Sequence, residues 1–217
     1  MKRMIAAAAA LATFGATDAV ADDDLWIAAR AGTQGLGLEA TWRPVPYLDL
    51  RAGFSRYDYD TTRTEAGIDY EAELGLESLY ATVNARIPAS PVRFSAGLVA
   101  NGNEGNFLGN DTGTYEIGGQ LFDASQVGNL RGRATFDDLA PYAGMGLDFR
   151  LGDTVGLHFD AGVMYQGDPS LAMSADGIIA SDPTFQAALE TERAELEEEL
   201  EDFAWYPVLA VSFSVNF

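Results

Sequence analysis

The 217-residue sequence contains no cysteine, so neither disulfides nor thiolate metal centres can hold it together. It has one histidine, His158, and after Lys2 it has no lysine. Beyond the first twenty or so residues there is no apolar run of about twenty, the length that a membrane-spanning helix requires. If the chain meets a membrane, it does so with strands. Basic charge is scarce too: 13 Lys and Arg stand against 33 Asp and Glu, for a net charge of −20, which excludes nucleic acid as a partner. The length allows one domain or one barrel, not two cores.

What is present begins with an export signal. Met1-Lys2-Arg3 is a short cationic start, Met4 to Phe14 is an Ala-rich apolar run, and Ala19-Val20-Ala21 is a small-x-small cleavage site. This layout predicts a secretory signal peptide over 1–21 and a mature chain over 22–217. The alternative, a buried N-terminal helix, is not continued by any helical period downstream. The mature chain would carry 11 Arg and no Lys against 32 Asp and Glu, a net charge of −21.

From there the sequence alternates with a period of two. In the terminal "WYPVLAVSFSVNF", Trp205, Leu209, Val211, Phe213, Val215 and Phe217 share one strand face, while Ala210, Ser212, Ser214 and Asn216 share the other. In "VGLHFDAGVMYQ", Leu157, Phe159 and Val163 oppose Gly156, His158, Asp160 and Gly162. In "VRFSAGLVANGN", Phe94 and Leu98 oppose Arg93, Ser95 and Gly97, and in "YLDLRAGFSRY", Leu48, Leu50 and Phe54 oppose Asp49, Arg51 and Gly53. The charges therefore lie on the face that also carries the glycines. A soluble sandwich or barrel would turn its apolar face inward and show a solvated outer face. A small, charge-balanced second face instead predicts a transmembrane barrel, apolar toward lipid and polar within.

Strands are expected at 47–59, 68–87, 92–104, 131–150, 154–166 and 205–217. The segment "LWIAARAGTQGLGLEATWR" changes apolar phase at Gly32-Thr33-Gln34-Gly35, which predicts a hairpin and brings the total to eight. A second phase change near Glu77-Ser78 predicts a bulge inside strand 68–87. Short connections at 43–47, 88–91 and 151–154 alternate with long ones at 61–67, 104–130 and 167–204, as periplasmic turns alternate with outer loops. In the last loop, Asp182 and Pro183 open a helical period through Phe185, Leu189, Leu196, Leu200 and Phe203. That predicts an acidic α-helix over the outer mouth of an all-β, eight-stranded antiparallel barrel.

The signal peptide, the hairpin "GLGLEATWRPVPYLDLRAGFSRYDY" and the Phe-terminated last strand together resemble the small eight-stranded outer-membrane proteins of Gram-negative bacteria, the OmpA transmembrane-domain, OmpX and OmpW group. The resemblance implies residence in the outer membrane, contact with its lipids and lipopolysaccharide, and insertion by the barrel assembly machinery. It also implies that Leu209, Phe213, Val215 and Phe217 match the terminal signal which that machinery reads. No peptidoglycan-binding domain follows the last strand here, so a direct wall tether is not implied. Some barrels of this membrane are lipid A deacylases or acyltransferases with Ser and His at the rim.

Three functions follow as expectations. The lumenal charges Glu39, Asp49, Arg51, Arg86, Arg93, Asp148, Arg150, His158 and Asp160 must pair, since unpaired charges in a narrow low-dielectric interior are costly. As a plug they suit a non-enzymatic barrel with a structural or surface-interaction role. As exchanging pairs they suit a narrow porin-like channel for ions or small solutes. A lipid-modifying enzyme would need His158 beside Ser212 or Ser214 and an orienting acid. No catalytic residue, metal ligand set or cofactor is assigned. The acids Glu190, Glu192, Glu195, Glu197, Glu198, Glu199, Glu201 and Asp202 mark the loop helix either as a solvated element packed on loop 105–130 or as a docking surface where divalent cations gather.

Overall fold

The computed structural model describes residues 25–65, 68–109, 113–152 and 154–216. The export signal and Phe217 lie outside the described residues. Among the described residues thirteen strands occur in chain order: β1 (Leu25–Gly32), β2 (Gly35–Val45), β3 (Leu48–Glu65), β4 (Ile68–Arg86), β5 (Val92–Asn101), β6 (Glu104–Gly109), β7 (Thr114–Ile117), β8 (Gln120–Asp123), β9 (Leu130–Thr135), β10 (Leu139–Leu151), β11 (Val155–Tyr165), β12 (Ser170–Ala175) and β13 (Trp205–Asn216). A one-turn helix α1 (Ala124–Val127) follows β8, and α2 (Pro183–Leu200) runs into a 3-10 turn before β13.

Eight of these strands close a barrel in the order β1-β2-β3-β4-β5-β10-β11-β13, each antiparallel to its neighbours, with β13 returning to β1. The alternation read from the sequence fixes the faces as expected. Leu38, Phe54, Leu98, Phe159, Leu209 and Phe213 point out and stay exposed, whereas Asp49, Arg93, His158, Asp160, Ser212 and Ser214 are buried inside. This is the reverse of a soluble barrel, whose greasy side chains would fill the lumen. The outer belt is stable only against hydrocarbon, and a closed barrel leaves no backbone edge unpaired there. The Thr33-Gln34 turn joins β1 to β2 in register, with Gly32 opposite Gly35, so the phase change in the first segment is a hairpin.

The phase change at Glu77-Ser78 is not a bulge. β4 pairs with β3 without a shift from Leu48 opposite Ala85 to Glu65 opposite Ile68. What changes is the surroundings. Between Ser78 and Arg86 β4 pairs with β5, and from Tyr70 to Gly75 it pairs with β6. Ser78 opposes Asn101 and Gly75 opposes Glu104, so β5 and β6 share one register across Gly102-Asn103. Within the membrane belt the outward residues of β4, such as Leu79 and Val83, are the apolar ones. Above it the even-numbered residues Leu74 and Leu76 are apolar, Leu76 buried and Leu74 exposed, where the strand has passed beyond its pairing with β5.

The long loops are likewise more structured than linkers. β6, β9 and β12 continue the barrel wall upward beside the extended ends of β3 and β4. The expected strand 131–150 is two pieces, β9 and β10, in a single register: Glu104 opposes Thr135 and Ala100 opposes Leu139. The β7-β8 hairpin turns at Gly118-Gly119, both with positive φ, which glycine adopts without strain. Together with α1 and α2 it encloses a small second core of Tyr115, Ile117, Val127, Leu130, Phe185 and Leu189.

Helix α2 begins as the sequence predicts. The Asp182 carboxylate accepts from the backbone N–H groups of Thr184 and Phe185, at 2.8 and 3.2 Å, and Pro183 occupies the first turn. Only the first part of its apolar stripe is buried: Phe203, beyond the helix, remains exposed. The helix packs on β12 and β7. The first turns of the loop helix are thus packed into the cap.

Candidate functional site: the charged lumen

Strand geometry puts every second residue of each barrel strand into the lumen, and the charges meet there in layers. Nearest the short turns, Arg86 donates through Nε to Asp49 at 2.6 Å and pairs through Nη2 with Asp148 at 2.9 Å. Arg93 donates through Nε to Asp148 at 2.9 Å and reaches across to Asp160 through Nη2. One layer further, Arg30 and Arg51 both use Nη1 to hold Asp160, at 3.1 and 3.3 Å, and Glu39, at 3.4 and 3.5 Å. The hydroxyl of Tyr80 donates to Glu39 at 2.8 Å, and the Arg30 guanidinium lies 5.1 Å from the centre of the Tyr80 ring. Glu39, Asp49, Arg51, Arg86, Arg93, Asp148, His158 and Asp160, all read from the sequence, meet in this network. Arg150 sits toward the short-turn mouth, 5.3 Å from the centre of the Trp26 ring.

The sequence reading missed Arg30. It stands in "IAARAG" on the even-numbered face of β1 with Trp26 and Ala28, opposite the apolar residues, and the parity rule that found Arg51 would have found it. Lumen-facing glycines have a definite purpose here. A Cβ on Gly146 would lie 2.7 Å from the Arg93 guanidinium carbon, and one on Gly53 would strike the Tyr80 hydroxyl. These positions are vacated for side chains that cross the lumen.

Above the charges, Tyr80, Val99, Ala140, Tyr142, Met164 and Val208 form an apolar layer. Buried amides close the capped end: Gln34 donates to the Ser78 hydroxyl at 3.0 Å, and Asn103 to the side-chain oxygen of Gln166 at 2.9 Å. Gln166 in turn donates to the carbonyl of Phe203 at 2.9 Å, tying the plug to the cap. The spaces left inside are small. One cavity of about 20 Å³ lies beside Asp160, and another of about 10 Å³ beside His158. The first holds one particle the size of water.

His158 makes two hydrogen bonds. Nδ1 lies 2.7 Å from Asp148 Oδ1 and Nε2 lies 2.8 Å from Ser214 Oγ. A carboxylate only accepts, so Nδ1 donates to it, and in the neutral ring Nε2 accepts from the Ser214 hydroxyl. The three side chains follow the order of a hydrolytic triad, and of the two candidate serines it is Ser214 that reaches the ring. Other requirements of that chemistry are not met around them. Ser214 is buried, and β13 is hydrogen-bonded on both sides, so its N–H groups belong to the ladder rather than to an oxyanion site. Asp148 is also shared with two arginines.

Two acids of the loop bond to backbone within the cap. Glu192 accepts from the backbone N–H of Gly118 and Glu197 from that of Leu171, both at 2.8 Å. Glu190 and Glu197 flank Arg193, which draws the Glu190 carboxyl below its usual range by hydrogen bonding. Glu195, Glu198, Glu199, Glu201 and Asp202 lie along the rest of the helix and the turn that follows it, all exposed. Among the described residues, no group of three or more His, Cys, Asp or Glu is placed to hold a metal ion.

Comparison with solved structures finds the same architecture. Acinetobacter baumannii CarO superposes with a TM-score of 0.59 at 20% identity, over 89% of this chain and 98% of that one. Acinetobacter baumannii CarO2 does so with 0.59 at 19% identity over the same shares. At these identities the likeness is one of fold. A major outer membrane protein from Thermus thermophilus matches more loosely, with a TM-score of 0.41 at 14% identity over 89% of this chain and 98% of that one. No protein-family model matches the chain, and no curated protein matches it either.

Proposed function

We propose that this chain is a non-enzymatic barrel of the Gram-negative outer membrane, with a closed lumen that stiffens the wall and a folded cap that serves surface interaction. The observation that carries the reading is the ion-pair network spanning the lumen from Asp49 to Glu39, with Tyr80 and Val99 stacked above it. Eight strands enclose an interior that side chains can fill, and the cavities beside Asp160 and His158 measure about 20 and 10 Å³. A solute would have to break several buried pairs at once, each costly to open. The buried Ser214 hydroxyl supports the non-enzymatic reading.

In this proposal the short turns face the periplasm and the cap faces outward. Lipid and lipopolysaccharide surround the apolar belt, and Leu209, Phe213, Val215 and Phe217 guide the barrel assembly machinery after removal of the export signal. The exposed acids of the loop gather divalent cations as diffuse counter-ions in the anionic surface layer.

The test is electrical. Refolded protein in planar bilayers is expected to show no steady conductance, while the same preparation runs faster on gels unheated than boiled. Steady unitary currents from folded protein would make it a channel instead. Recovery from cells as a soluble periplasmic protein would end the membrane reading altogether.

A further inference from the structure

The sheet that rises above the barrel has two side edges, and they are treated differently. At one end α2 packs on β12, and Glu197 accepts the Leu171 N–H at 2.8 Å. At the other end β3 loses a neighbour. It pairs with β2 only as far as Arg56 opposite Leu36, where β2 turns away at Thr33-Gln34, yet it continues against β4 until Glu65 opposes Ile68. From Tyr57 onward, no strand among the described residues lies along its second side. Tyr57, Asp58, Tyr59 and Asp60 are exposed in succession, so neither face of this stretch is covered. Alternate backbone N–H and C=O groups along it therefore point away from the sheet, unpaired by any strand.

The side chains here are sorted by face. Tyr57 and Tyr59 share one face with their β4 partners Leu76 and Leu74. Their rings stack with centroids 6.5 Å apart and planes 9° from parallel, and the two residues are 46% and 49% exposed. Asp58 and Asp60 share the other face with Arg56, Glu77 and Glu73. Arg56 pairs with Asp58 at 2.8 Å and with Glu77 at 3.7 Å, so four acids stand beside this arginine and the face is acidic.

A bare edge accepts an extended chain, and these side chains decide which. Two copies meeting antiparallel about Tyr59 would set Asp58 of one against Asp60 of the other, and like charges directly opposite are destabilising. A strand with cations at the Asp positions and apolar residues at the Tyr positions suits both faces.

We propose that the β3 edge from Tyr57 to Thr61 binds an extended cationic peptide by strand addition, with Lys or Arg opposite Asp58 and Asp60 and apolar side chains opposite Tyr57 and Tyr59. This rests on the surface-interaction role of the cap and gives the chemistry of the partner.

The experiment uses the whole refolded protein in detergent. It is titrated with a short synthetic peptide in which lysine alternates with valine or phenylalanine, and with a peptide of the same composition in scrambled order. Amide exchange is expected to slow at alternate residues between Tyr57 and Thr61 and to stay unchanged on β12. The scrambled peptide, attracted only by the net charge of −20, is expected to give no such alternation. Asp58→Asn with Asp60→Asn is expected to raise the dissociation constant about three- to tenfold, the effect of losing two exposed charge pairs. Glu116→Gln with Asp168→Asn removes the same charge from exposed positions elsewhere, and is expected to leave the constant unchanged. Methylating the peptide nitrogens that face the edge is expected to abolish binding, since it removes the ladder donors. Equal affinity for the scrambled peptide, the same loss from both pairs of acid substitutions, or binding that survives methylation would each overturn the proposal. So would protection of 57–61 that rises with protein concentration in the absence of peptide, which would give the edge to a second copy. Binding is read on folded, heat-modifiable protein and not as conductance, so its failure leaves the closed-barrel reading standing.

Discussion

Arg93 on β5 and Asp160 on β11 meet across the lumen although 67 residues separate them in the chain. Their contact joins the two charged layers, because Arg93 also holds Asp148 while Asp160 also holds Arg30 and Arg51. Replacing Asp160 by Ala leaves Arg30 and Arg51 with a single carboxylate, Glu39, and leaves Arg93 with Asp148 alone. The loss is expected to be about 3–5 kcal/mol, read as a lower urea midpoint for the refolded barrel. A change under about 1 kcal/mol, the value of an exposed pair, would show that the layer is solvated.

Outward positions should obey lipid rather than core energetics. Leu98→Arg is expected to cost about 2–4 kcal/mol if it lies near the bilayer midplane, whereas Leu98→Ala should be mild because lipid fills the space it leaves. Folding equilibria in lipid vesicles check this. Equal losses in the two variants would mark the face as a protein core.

Gly146 makes room for Arg93. Gly146→Val should force the guanidinium off Asp148 and Asp160, at about 1–3 kcal/mol for overpacking and more if the pairs break. Gly146→Val with wild-type stability would mean that the arginine has another resting place.

The cap has its own core, so it should fail by itself. Phe185→Ala removes a fully buried ring that packs edge-on against Phe122, and such truncations cost about 3–5 kcal/mol. The expected readout is protease cleavage within 113–130 and 176–204 while the barrel keeps its heat-modifiable migration. Unfolding of barrel and cap together would show one cooperative unit.

Asp176 ties the cap to its foundation. It accepts from the side chain and backbone N–H of Asn129 and pairs with Arg131 at 3.0 Å, and these partners, Asn129 first, hold its carboxyl below the ordinary 3.8. A depressed folded value means that the contribution is present above the ordinary carboxylate range and is lost as pH falls through the folded value. Amide exchange at Asn129, compared with the Asp176→Asn variant after correction for intrinsic rates, should therefore show protection lost only in acid. Acid-insensitive protection would place the tie elsewhere.

The lumenal face was legible because its rule is local. Parity along one strand tells whether Asp49 or Leu50 points inward, and a narrow interior then requires the charges to pair. Which arginine meets which carboxylate was not legible, since that depends on register between strands far apart in sequence, as with Arg93 and Asp160. The cap was harder for a physical reason. Tyr115, Ile117, Phe185 and Leu189 lie on short elements whose apolar residues are too few to set a period, and they become a core only when 104–135 and 170–200 are brought together. The apparent fault at Glu77 has another origin: the strand kept its register with β3 while its other neighbour changed from β5 to β6.

The tall side of the wall, β3, β4, β6, β9 and β12, stands across from a rim that ends at Thr33-Gln34. Because β6 and β9 keep the registers of β5 and β10, the tall side is no hinged flap but one sheet, whose tilt is set by the strands in the membrane. The molecule therefore has a front and a back. Anything approaching its capped end meets a parapet from one direction and an open sill from the other, so what docks there would be sorted by the side from which it arrives.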